Sequence, residues 1–337
     1  MSDEQTIQLA HGAGGRLTRE LIQNEILPRF GDPALQGLPD GATLPPPVAR
    51  QLVFTTDSFV VQPLEFPGGN IGHLAVHGTV NDLAVCGARP RWLSLGLILE
   101  EGLPVAMLRR VLDAVRDAAA DCRVAVVTGD TKVVARGQCD GIYINTAGIG
   151  EWLEGFELGP GRIAAGDHVL VSGPLAEHGM AVMAARESIH IAHGPQSDTG
   201  PVHRLVLAAQ EFAPYIRFMR DPTRGGLAAV LNEAVDGSRL GLLLRETDVP
   251  YSPGVRAVAE LLGLDPLHVA SEGRMVLICA PPASRPLLEK WRNLAEGRGA
   301  AVIGTVSDTA GRVVMETVAG GRRLVDVPRG ELLPRIC

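Results

Sequence analysis

Short apolar runs of strand length alternate with longer helix-like stretches on both sides of one glycine-rich interruption, Glu151 to Gly166. That alternation restricts the chain to a layered α/β or α+β architecture in two domains. In the first half, residues 51–56, 92–99, 123–128 and 141–150 read as strands, and 70–86 and 104–121 as helices. The second helix opens on Pro104 and carries Met107, Leu108, Val111, Leu112 and Val115 on one face. In the second half, residues 168–172, 240–245 and 275–280 read as strands, and 302–306 with 313–317 as a closing strand pair. Helices are expected at 175–185, 201–212, 224–235, 255–262 and 286–297. The Pro- and Gly-rich stretch 28–50 reads as a loop. The pattern predicts domains at 1–155 and 156–327, with a flexible tail at 328–337.

Composition excludes several classes of function. No run of 18 apolar residues exists, and the N-terminus, Met1 to Thr6, is polar and acidic, so the expectation is a cytoplasmic protein without a membrane span or leader. A net charge of -7 disfavours nucleic acid, whose non-specific binding depends on Lys and Arg. Five cysteines with no Cys-x-x-Cys pair argue against a disulfide framework or zinc ribbon. Cys86, Cys122 and Cys279 have apolar neighbours and read as core fillers.

Cys337 is different, because it is the last residue, after Pro334-Arg335-Ile336. It reads either as a frayed end or as a group that carries something, and its position excludes prenylation, which needs the cysteine fourth from the end.

Asp57, Asp82, Asp130 and Asp221 each sit where an apolar element ends or passes. An ionised carboxylate in such a place is paired or binds a metal, and hard oxygen donors from several loops suit Mg²⁺ on a polyphosphate. Each taken alone also reads as a cap or turn residue. Gly12, Gly14 and Gly15, in Gly12-Ala13-Gly14-Gly15-Arg16, could wrap phosphates, although no P-loop pattern exists. His73 and His77 have metal-ligand spacing, with Asn81 a turn further on, but read as packing or supporting groups. Lys132 could neutralise phosphate or a developing oxyanion, and Glu272 could act as a general base; each also reads as an ordinary surface residue.

Six segments together carry a family resemblance: 11–15 (HGAGG), 55–59 (TTDSF), 78–84 (GTVNDLA), 128–133 (TGDTKV), 220–226 (RDPTRGG) and 334–337 (PRIC). They resemble the ATP-binding superfamily of aminoimidazole ribonucleotide synthetase, selenophosphate synthetase and thiamine-monophosphate kinase. Within it they resemble the HypE carbamoyl dehydratases of hydrogenase maturation, and the terminal motif is the specific one. The resemblance implies that a HypF-type carbamoyltransferase loads Cys337, and that ATP-dependent dehydration leaves a thiocyanate for delivery to iron on a HypC-HypD-type scaffold. It implies Mg²⁺-ATP at Asp57, Asp82, Asp130 and Asp221, with Gly12, Gly14, Gly15, Asn81 and Thr223 in the nucleotide site. It also implies a homodimer paired through the N-terminal domains with ATP near the interface. Lys132 and Glu272 are the candidates for charge stabilisation and proton removal, and Arg335 and Ile336 for docking a mobile tail. A kinase or synthetase of the same fold, and a non-catalytic maturation scaffold, are the alternatives.

Overall fold

The structure, a computed structural model, describes residues 5–308, 311–327 and 336–337. The chain divides into a first unit of residues 1–83, 88–152 and 337, and a second of 84–87 and 153–336. Most of the tail expected at 328–337, Arg335 included, lies outside the described residues.

The first unit is a four-stranded sheet of β1 (Leu52–Phe59), β4 (Ala88–Glu100), β5 (Ala125–Val134) and β6 (Ile142–Trp152), in the order β1-β6-β4-β5. A two-strand hairpin, β2 (Glu65–Phe66) and β3 (Gly69–Asn70), precedes α2 (Ile71–Val85). Each main strand alternates between a buried and a more open face. In β4, Leu93, Leu95, Leu97 and Leu99 are buried, while Ser94, Gly96 and Ile98 point the other way. The buried face is covered by α2, where the Thr146 hydroxyl donates to the Ala75 carbonyl at 2.9 Å. α3 (Val105–Cys122) buries Leu108, Val111, Leu112 and Val115 in one stripe, as its periodicity predicts, and stops at Arg123 in the left-handed region.

β5 departs from expectation. It begins two residues later and runs on through Gly129, Asp130 and Lys132, because its pairing with β4 continues to Glu100↔Val134 and those polar side chains can face solvent. β1 likewise continues through Asp57 to Phe59.

An unforeseen helix, α1 (Arg16–Leu21), leads into a further turn that carries Glu25 to α3. Glu25 is 3% exposed and accepts from Arg109 Nε and Nη2, both at 2.8 Å. The Arg109 guanidinium holds this carboxyl below the ordinary carboxylate range. The pair's stabilisation is therefore complete above the unfolded value and is lost as pH falls through the depressed folded one. Arg109→Met is expected to cost about 2 kcal/mol at pH 7, since it removes both guanidinium hydrogen bonds from a buried carboxylate and leaves it Arg29 Nη1 at 3.9 Å. Urea midpoints measured from pH 7 down to pH 3 should show the gap to wild type closing.

The second unit holds a seven-stranded sheet of β7 (His168–Val171), β8 (Ile216–Arg220), β9 (Gly241–Arg245), β10 (Val276–Cys279), β11 (Ala301–Ser307), β12 (Val313–Glu316) and β13 (Arg322–Leu324). Their order is β13-β12-β9-β11-β7-β10-β8. All four residues of β10 are buried, because the sheet is covered on both faces. Val276 and Ile278 join one core with α6 (Gly226–Val235), and Leu277 and Cys279 another with α5 (His203–Ala209) and α8 (Pro281–Arg292). α4 (Glu177–Arg186) and α7 (Pro253–Leu262) pack together in a smaller third cluster. The expected closing pair does not form: β9 inserts between β11 and β12, pairing antiparallel with the first and parallel with the second. Among the described residues no helix is long and apolar enough to cross a membrane.

Candidate active site

The residues singled out in the sequence gather in three places. The first is the helix-covered face of the four-stranded sheet. Asp82, on α2, accepts from the Thr55 hydroxyl of β1 at 3.0 Å. Asp57, two residues along β1, turns the same way, with one carboxylate oxygen over Gly78 of α2. A Cβ at Gly78 would meet the Phe59 ring at 2.8 Å, so glycine there lets β1 lie close on the helix. Asn81 is buried beside Asp82 in the chain. His73 and His77 stand on the same helix with ring centroids 6.2 Å apart; burial holds His73 below its ordinary value, and its Nδ1 accepts from Asn70 N–H. They serve packing.

The second place is the opposite face of that sheet. The register runs Ser58↔Asn145, Asn145↔Gly96 and Gly96↔Asp130, so Asp130 points away from Asp57. Asp130 and Lys132 pair at 2.9 Å in the exposed part of β5, and Lys132 holds the Asp130 carboxyl below its usual range. Gly12 presses on Val133, where a side chain would strike the strand, so the glycine-rich turn stands against β5. Gly14 has φ 77°, and both Gly14 and Gly15 are exposed. Leu52, Phe54 and Ile98 share this face, with Phe54 67% exposed.

The third place is in the second unit, so one unit does not gather all four aspartates. Asp221 follows β8 directly and is buried, and Thr223 precedes α6. Ser271 N–H donates to the Pro222 carbonyl at 2.9 Å, which sets Glu272 beside this turn. Glu272 is 3% exposed and not the surface residue its neighbours suggest.

One carboxylate organises the surroundings of Glu272. Asp198 Oδ1 accepts from the backbone N–H groups of Glu272 and His178, both at 3.1 Å. Gly273 allows the contact, because a methyl group there would fall onto the Asp198 carbonyl oxygen. Gly273→Ala should therefore cost about 2–3 kcal/mol by overpacking. Denaturant melts would measure this.

His178, Ser197 and Asp198 escaped sequence reasoning. They belong to no motif; the only signal was the polar cluster Ser197-Asp198-Thr199 in a stretch too short for an element. The end of the chain lies here: Ile336 is 5% exposed and its carbonyl accepts from His178 Nε2 at 2.7 Å. Cys337 is half-buried. Of the other cysteines, Cys122, Cys139 and Cys279 are buried and Cys86, contrary to expectation, is exposed. Burial pushes the Cys279 thiol up to about 12, so it is no nucleophile.

Among the described residues no group of three or more His, Cys, Asp or Glu side chains is close enough to hold a metal. Asp57 and Asp82 on a shared face, with hydroxyl and amide neighbours and no thiolate, fit Mg²⁺ arriving with phosphates, which needs only one or two protein carboxylates.

The AIR synthase related N-terminal domain matches residues 39–152 and the corresponding C-terminal domain residues 164–316. Carbamoyl dehydratase HypE of Rhodobacter capsulatus is 46% identical over 337 residues, covering 99% of both chains. The chain belongs to the HypE branch of the AIR synthase related family. A crystal structure of HypE in complex with ATP superposes with a TM-score of 0.94 at 43% identity, covering 98% of this chain and 100% of that one. HypE from a HypE-HypF complex superposes at 0.80 with 38% identity, covering 93% and 100%. The HypE resemblance read from the six segments thus holds along the chain, and so does the two-domain mixed fold.

Proposed function

We propose that this HypE-family chain is an ATP-dependent carbamoyl dehydratase whose substrate is its own last residue. The observation that carries the reading is the seating of Ile336 on His178, which shares Asp198 with the buried Glu272. The residue before Cys337 is thereby held on the same support as a carboxylate suited to proton removal.

Cys337 Sγ carries a carbamoyl group, and its amide oxygen attacks the γ-phosphorus of ATP, releasing ADP. The poor leaving group becomes phosphate. Glu272 takes an amide proton, the C–O bond breaks to expel phosphate, and loss of the second proton leaves S–C≡N. The net change is loss of one water, accounted for by hydrolysis of ATP to ADP and phosphate, with no change of oxidation state.

Lys132 supplies positive charge toward the activated oxygen, and Gly12, Gly14 and Gly15 supply backbone N–H groups toward the phosphates. Asp57 and Asp82, beside Asn81, are the carboxylates that would hold Mg²⁺ with the nucleotide; Asp130 faces the other side of the sheet, and Asp221 and Thr223 belong to the second unit. The bound cation would neutralise phosphate charge and orient the γ-phosphate.

Asp130 and Lys132 lie on the sheet face that bears Leu52, Phe54 and Ile98. Exposed apolar side chains on the sheet face that carries that ion pair support a homodimer through this face, with nucleotide near the pairing surface. The HypE-HypF complex supports a HypF-type carbamoyltransferase as donor, and a HypC-HypD-type iron scaffold would accept the cyanide, in the cytoplasm.

The test is ATP consumption by the carbamoylated chain with no small-molecule acceptor present. ADP should form in an amount equal to the carbamoyl groups loaded. A requirement for an added acceptor would favour a kinase or synthetase of the same fold.

A further inference from the structure

We propose that His178 is a positioning residue that latches the tail, fixing Cys337 through the carbonyl of the residue before it. This rests on the carbamoyl dehydratase reading and assigns the tail its seat.

The hydrogen-bond roles follow from the partners. The Ile336 carbonyl can only accept, so the proton lies on His178 Nε2, which donates at 2.7 Å. Nδ1 is then the acceptor, and the Ser197 hydroxyl, 2.8 Å away, donates to it. Ser197 Oγ in turn accepts from Thr199 N–H at 3.1 Å. The Ile336 carbonyl thus fixes the tautomer, and the Ser197 hydroxyl complements it. His178 is 0% exposed, and burial keeps it neutral, so no charge opposes its seat.

A single bond at this carbonyl does more than tether. The Ile336 carbonyl, the Cys337 amide nitrogen and the Cys337 Cα share one peptide plane. Holding the carbonyl therefore holds the plane from which the Cys337 side chain projects, leaving only its own torsions free. The buried Ile336 side chain adds an apolar anchor. Neither contact touches the sulfur, so the latch accepts the tail whether Cys337 is bare, carbamoylated or cyanated. Because Asp198 Oδ1 binds the backbone of both His178 and Glu272, latch and base are built on one support.

The experiment reads docking and needs no turnover. Iodoacetamide is applied without ATP to the full-length chain, and alkylation of Cys337 is followed by peptide mass spectrometry. Cys279, buried and protonated, reports unfolding if it reacts. His178→Leu removes the donor and should raise the Cys337 rate about tenfold, the scale of one lost buried hydrogen bond. His178→Gln retains an N–H near the Nε2 position and should stay near wild type. Ile336→Asp, at the chain end where the core is not at risk, should raise the rate without exposing Cys279.

Unchanged alkylation in His178→Leu and Ile336→Asp, with Cys279 protected, overturns the latch. So does an equal rise in His178→Gln and His178→Leu, which would leave packing as the only role. If His178→Leu does not fold, Ile336→Asp and His178→Gln still decide. A wild-type chain that never yields thiocyanate overturns the dehydratase reading instead, a result the ATP-free alkylation rates do not affect.

Discussion

Cys337→Ser is expected to abolish formation of the cyano product completely while leaving the fold intact. A serine hydroxyl stays protonated at neutral pH, whereas a cysteine supplies thiolate, so the variant is not loaded. No buried cysteine can replace it. Cys122, Cys139 and Cys279 are shut in the cores, and burial pushes the Cys139 thiol upward as it does that of Cys279. Cys86 is exposed, so product must be mapped by peptide and not by total mass. Cys337 is half-buried and serine differs from it by one atom, so the thermal midpoint should stay near the wild-type value. A variant that keeps its ATP turnover on a free acceptor would move the substrate off the chain.

Glu272→Gln should lower the rate of dehydration by about 10²–10⁴, the usual contribution of a positioned general base. The carbamoyl N–H is a weak acid, and departure of phosphate needs its proton removed. Gln keeps the shape of the side chain and the backbone N–H that donates to Asp198, so stability and nucleotide binding should hold. The variant should accumulate carbamoylated chain in single-turnover experiments. Rapid conversion would assign proton removal to another group.

The fold was legible wherever periodicity and burial agree. α2 and α3 appear at the expected places because their small and apolar residues meet the sheet. β8 was missed because Ile216-Arg217-Phe218-Met219-Arg220 mixes arginine into an edge strand and follows a proline turn. β5 looked short because Gly129, Asp130 and Lys132 resemble a turn when the open side of the sheet is unknown. The pairing of β11 with β12 was misread because adjacency in sequence does not reveal that β9 lies between them.

The site divides in the same way. Asp57 and Asp82 stood out because carboxylates in apolar runs need a reason, and they do share a face. That Asp130 faces away from them is a matter of register across three strand pairings, which no local pattern carries. Ile336 was read as a docking contact, but its partner was not, since one histidine in a helix carries no motif until the chain end reaches it.

Whether the enzyme acts on its own terminal cysteine is read from the mass of the C-terminal peptide after loading with carbamoyl phosphate and a HypF-type transferase, before and after a single addition of Mg²⁺-ATP. A carbamoyl increment is expected on Cys337 before ATP, and loss of one water from that same residue after it. A carbamoyl increment that persists while ATP is hydrolysed, or a loss of water at any other residue, would contradict this expectation.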